Sequence, residues 1–220
     1  MIVGYSTTTT IGEGGFTQIA PYFTKVDDGT KLSLSDLSFT PERGDNIQLF
    51  DENGDNSEIL SYERKGNKTT GYTYYWENMN GEEVSDYDFP RGSSIWINTA
   101  SQIDLTQSGA VSKSATVVSI PGNGGFAQTG NNTPVPLKLS ALVFDNIARG
   151  DNIQLFDENG DNSEVLSYER KGNKTTGYTY YWENMNGEEV DPEAFTFAPG
   201  QVFWINCADE GTLTIPAPTL

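Results

Sequence analysis

The sharpest local pattern in the chain is DENGDNSE, at residues 51–58 and again at 157–164. Asp51, Asn53 and Asp55, with their counterparts Asp157, Asn159 and Asp161, stand at alternate positions. Oxygen ligands at that spacing open a calcium loop, because a hard cation takes carboxylate and carboxamide oxygens. The EF-hand form of such a loop also needs Gly sixth and Glu twelfth. Here those places hold Asn56 and Tyr62. The same residues read equally as a polar hairpin loop, in which Asp and Asn side chains bond their own backbone. The expectation is therefore no cofactor, with Ca2+ as the one exception these residues allow.

A second pattern begins at residue 64, six positions after the first ends. The turn RKGNK carries Arg64, Lys65 and Lys68, and its copy carries Arg170, Lys171 and Lys174. An acidic turn and a basic turn at opposite ends of one strand give a domain two charged poles, separated by about 30 Å over nine extended residues. Such poles read as solvated turns or as complementary surfaces that fix register between successive units. Next comes YTYYW. In a strand, Tyr72, Tyr74 and Trp76 share one face and Tyr75 takes the other; Tyr178, Tyr180, Trp182 and Tyr181 repeat this. One face serves the core, and the other is a subunit interface or a platform for sugar rings, since Tyr and Trp are enriched at interfaces.

The chain contains no His and a single Cys, Cys207. That removes the commonest general base, the commonest transition-metal ligand and any internal disulfide. Cys207 reads as a small, partly buried residue at a strand end. Carboxylates are plentiful but sit in turn-like segments, with nothing to raise the pKa of one of them as a general acid requires. No enzyme is expected. The net charge of −18 argues against nucleic acid, whose phosphates need clustered cations. No stretch approaches the roughly 20 apolar residues of a membrane span. The tripeptide Arg43-Gly44-Asp45, repeated at 149–151, precedes a strand and serves a turn. Three sequons, at Asn67, Asn131 and Asn173, matter only where the source glycosylates.

The elements that must position these residues are set by a duplication. Residues 43–84 recur at 149–190 with one change, Ile59 to Val165. The flanks have drifted further: GGF at 14–16 matches 124–126, and WIN at 96–98 matches 204–206. Two domains follow, residues 1–111 and 112–220, joined by the small-residue stretch 108–115. Within each, β-branched and alternating runs are punctuated by Gly and Asn turns, giving seven or eight short strands and one possible helical turn in KLSLSDLSF. The fold class is all-β: two tandem homologous domains, each a β-sandwich or a partly open barrel. Asn53-Gly54 marks a hairpin tip. The outermost strands, 1–10 and 211–220, are candidates for pairing onto a neighbour's sheet edge.

The motif order VGY, GGFTQIAPYF, LSLSDLSF, NIQLFDENG, YTYYW, then a Gly-containing turn before SIWIN or QVFWIN and finally TLTI, resembles a family of secreted β-rich surface proteins of unassigned function from Gram-negative environmental bacteria. The resemblance implies export and a cell-surface role, and brings no catalytic residue. The chain departs from that family's usual form in showing no leader peptide; if the protein is exported, the expectation is that this sequence is its mature form or an expressed piece of it. The expected function is a structural subunit that associates with itself into an extracellular filament, tube or surface layer. The alternative is a tandem glycan-binding module.

Overall fold

The computed structural model describes residues 5–12, 14, 16–25, 31–157 and 161–219. Val3, Gly4 and Asn159 lie outside them. The first half contains β1 (Tyr5–Ile11), β2 (Phe16–Ile19), β3 (Lys31–Ser33), β4 (Leu37–Ser38), β5 (Asn46–Phe50), β6 (Asn56–Asn67), β7 (Gly71–Glu77), β8 (Glu83–Val84), β9 (Asp88–Pro90), β10 (Ile95–Asn98) and β11 (Ile103–Gly109). The second half repeats the order as β12 (Thr116–Ile120), β13 (Phe126–Gly130), β14 (Leu137–Lys138), β15 (Val143–Phe144), β16 (Asn152–Phe156), β17 (Asn162–Asn173), β18 (Gly177–Glu183), β19 (Glu189–Val190), β20 (Thr196–Phe197), β21 (Val202–Asn206) and β22 (Gly211–Ile215). The helical turn expected in KLSLSDLSF is a single 3-10 turn, Leu34–Asp36.

Each half builds its own sheets. A three-stranded sheet ordered β1-β11-β4 faces a six-stranded sheet ordered β2-β10-β5-β6-β7-β8, and β3 pairs with β9 beside them. The second half repeats this with β12-β22-β15, β13-β21-β16-β17-β18-β19 and the pair β14-β20. Pairing is antiparallel throughout. Neither pair of sheets closes into a barrel, and each half is of the β-sandwich type. Alternation sets the inner faces. Along β5, Ile47 and Leu49 point inward while Asn46, Gln48 and Phe50 point outward. Along β10, Ile95 and Ile97 are buried between outward Trp96 and Asn98.

The first core gathers Ile11, Ile47, Leu60, Phe89, Ile97 and Leu105. The second gathers Ile153, Leu166, Phe197, Phe203, Ile205 and Leu213. Both outermost strands belong to these sandwiches. β1 runs along β11 over seven residue pairs and ends on fully buried Ile11. β22 lies between β12 and β15, so it has no open edge to offer a neighbour.

Candidate functional site

The acidic loop is a hairpin tip whose carboxylate serves the backbone. Asp51 accepts the amides of Asn53 (2.8 Å) and Asp55 (3.0 Å) on the same Oδ1. Gly54 takes a φ of +82° at the tip, where only glycine avoids strain. Asp157 repeats the bond to the Asp161 amide at 3.0 Å. Among the described residues no group of three or more His, Cys, Asp or Glu is placed to hold a metal ion.

The basic turn ends an arm. β6 and β7 stay paired from Ser61 with Glu77 out to Asn67 with Gly71. The last four pairs, from Arg64 with Tyr74 outward, are exposed on both faces. At about 3.4 Å per residue this overhang reaches roughly 14 Å beyond the sandwich. A two-stranded ribbon is marginal by itself, so cross-strand contacts must hold it. Tyr62 and Tyr74 stack at 5.7 Å and 14°, the Arg64 guanidinium lies 4.4 Å over the Tyr72 ring, and Lys65 Nζ sits 4.9 Å over Tyr75 while pairing with Glu83. At the tip, the Asn67 side chain accepts the amides of Thr69 and Thr70. The second arm, β17 with β18, repeats each contact: Tyr168 on Tyr180, Arg170 over Tyr178, Lys171 over Tyr181. Lys68 and Lys174 complete the tips.

The aromatic ladder runs from core to solvent rather than presenting one uniform face. Tyr72, Tyr74, Tyr178 and Tyr180 are 40–47% exposed. Trp76 instead packs against the first core beside Phe39, and Trp182, 9% exposed, is a core residue beside Phe144. Both tryptophans lie at the root of the arm, where the strand passes over the sandwich, and so drop out of the exposed surface expected of them.

The Arg-Gly-Asp tripeptides are structural. Gly44 has a φ of +97° and Asp45 is 1% exposed. Asp45 accepts the Glu42 amide at 2.7 Å and the Ala100 amide at 2.8 Å; Asp151 does the same for Ala148 and Ala208. Cys207 is buried, and burial first, then the nearby Asp151 charge, push its thiol pKa up to about 12. Of the sequons, Asn131 is fully buried, with its amide nitrogen bonded to the carbonyls of Val135 and Phe197. Asn67 and Asn173 sit at the exposed tips.

No protein family, no curated protein and no solved structure matches this chain. The geometry has to speak for itself, and its least expected feature is a seam between the halves. The outward faces of β2, β10 and β5 meet those of β13, β21 and β16. Trp96 meets Trp204 at 6.1 Å, and Trp204 also meets Phe50 at 6.4 Å. Phe16 and Phe50 flank Trp96 as Phe126 and Phe156 flank Trp204. A Cβ on Gly130 would lie 2.6 Å from the methyl of its own counterpart, Ala20. Residues that touch their own equivalents mark an isologous contact, with a local two-fold axis through the seam. The Phe126 amide bonds the Glu52 carbonyl across it at 2.8 Å.

Two related clefts open beside that axis. One, of 250 Å³, is lined by Phe50, Asp51, Glu52, Phe126 and Gln128. The other, of 320 Å³, is lined by the equivalent Phe156, Asp157, Phe16 and Gln18. The acidic loops therefore border the seam, while the basic tips lie at the far ends of β6 and β17. Sequence reasoning used GGF and WIN only to align the halves. The missed signal was Trp96: a tryptophan on the outward side of an Ile-Trp-Ile-Asn alternation needs a covering surface.

Proposed function

We propose that the protein is a structural subunit of an extracellular bacterial assembly, a filament, tube or surface layer, built by contacts between copies of the chain. The observation that carries this reading is the pair of overhanging arms. Outside the repeated segment even buried positions have diverged between the halves: Ile95 corresponds to Phe203, and Thr99 to Cys207, all four fully enclosed. Residues 64–74, exposed on both faces and tied to the rest of the sheet by the Lys65–Glu83 pair, are identical to 170–180. The sandwich does not require that identity, because surface positions tolerate change within about 0.5 kcal/mol. A surface that must match the same partner twice does require it. Residue composition and the resemblance noted above support an exported location. No helix among the described residues is long and apolar enough to cross a membrane.

Negative-stain electron microscopy of the native protein, with sedimentation at rising concentration, tests the reading. Regular tubes, fibres or sheets are expected. A monodisperse monomer at every concentration would sink it. A second reading, glycan binding, is favoured by the exposed Tyr72 and Tyr74 rings beside Arg64, a stacking platform with a polar handle. Glycan-array binding by a monomer, lost in Tyr74→Ala and Tyr180→Ala, would establish it instead.

A further inference from the structure

Six of the chain's 13 cations sit on the two arm tips, which carry no carboxylate between residues 64 and 74 or 170 and 180. All 31 carboxylates lie outside those two segments, where only seven cations remain. Among the described residues Arg64, Lys68, Arg170 and Lys174 form no ion pair; Lys65 and Lys171 are paired with Glu83 on β8 and Glu189 on β19. Each tip thus holds two uncompensated cations next to an exposed tyrosine. The seam clefts show the opposite character. No cation lines either one among the described residues; Phe50 and Phe126 floor the first, Glu52 and Asp51 border it, and Asp157 borders the second. In the first cleft the amide oxygen and nitrogen of Gln128 are buried with no hydrogen-bond partner, and in the second the Gln18 oxygen is likewise unmet. Such groups are ordinarily satisfied. A guanidinium or a phenol supplies the missing partner. A volume of 250–320 Å³ corresponds to roughly ten waters, or one large side chain.

Resting on the self-assembly reading above, we propose that the arm tip of one molecule docks in the acidic seam cleft of another copy of this chain. Arg64 or Arg170 enters the cleft, with Tyr72 or Tyr178 stacked on it at the mouth, while Lys68 or Lys174 faces its carboxylate rim. The occupant is a second copy because the chain carries both halves of the contact, each twice, with matching charge. The seam is therefore more than glue between two domains. It assembles, from both halves, a receptor that neither half has alone.

The test uses the full-length chain. Lys68→Cys and Glu52→Cys variants are mixed under mild oxidation; Cys207, fully buried, contributes no background. A disulfide-linked dimer containing one of each variant is expected, and a Thr8→Cys variant in place of Glu52→Cys should give none. In parallel, the combined Arg64→Glu, Lys68→Glu, Arg170→Glu and Lys174→Glu variant should weaken association about tenfold or more, and high salt should do so in the wild type as the Debye length falls to about 3 Å at 1 M. If the wild-type chain assembles and the charge-reversed chain assembles equally well, with no tip-to-cleft disulfide, docking is wrong and self-assembly stands. If no copy associates with another and no mixed disulfide forms, both fail. If the tip variants lose glycan binding while the chain remains a monomer, the arm serves sugar and the docking idea is overturned.

Discussion

Replacing Trp204 with Ala should uncouple the two halves without dismantling either. The ring stands outside the second core, which is built instead from its neighbours Phe203 and Ile205. It meets four aromatic rings. Phe156 (4.9 Å) and Phe126 (5.5 Å) belong to its own half; Trp96 (6.1 Å) and Phe50 (6.4 Å) belong to the other. An aromatic pair contributes about 0.5–1.5 kcal/mol beyond its buried area. The two pairs that cross the seam therefore stabilise the contact by about 1–3 kcal/mol. Scanning calorimetry should show the melting profile of Trp204→Ala splitting into two separate transitions. A double-mutant cycle isolates the pairwise part: Phe50→Ala with Trp204→Ala should give a coupling of about 0.5–1.5 kcal/mol. Independent sites add to within about 0.3–0.5 kcal/mol. A coupling inside that margin, together with an unchanged calorimetric profile, would refute the seam.

Three further outcomes are expected. Asp88 accepts bonds from Lys31, Ser33 (2.6 Å) and Lys25 (2.9 Å), and these hold its carboxyl well below the usual carboxylate range. Because the folded pKa lies below the unfolded one, this stabilisation is complete above about pH 4 and is lost as pH falls further. Amide exchange in β3 and β9 should quicken in acid and lose that dependence in Asp88→Asn; the second half, with Thr196 in the equivalent place, should not share it, and equal acid response in both would count against this account. Gly66 has a φ of +100°, and a Cβ there would run into the Gly71 carbonyl oxygen; Gly66→Ala should cost about 1–3 kcal/mol locally, loosening the tip in NMR spectra while the sandwich signals stay in place. Asp45→Ala leaves two amides, of Glu42 and Ala100, without their acceptor and should destabilise the first half by about 2–3 kcal/mol in urea denaturation, whereas an exposed carboxylate with no backbone partner would give no change.

Much of the scaffold was legible because strands announce themselves locally. The alternation NIQLF, the Asn-Gly tip and the loop-capping Asp51 each specify their geometry within a few residues, and the hairpin of β5 and β6 follows from them. The 3-10 turn in KLSLSDLSF is equally local. What the sequence hid was long-range. Nothing near YTYYW says that β6 and β7 outrun the sandwich, so the fate of Trp76 depends on where the inner sheet stops. The seam escaped for the same reason: Trp96 and Trp204 are 108 positions apart, and no local rule brings a residue against its own counterpart.

That self-facing contact has a consequence for direction. A unit with an approximate two-fold axis through its middle has two nearly equivalent ends. A filament that kept this axis perpendicular to its length would read nearly the same from either end. Its ends would differ only by what has diverged between the halves, leaving a cell little by which to hold one end and not the other. Attachment would have to be made along the side.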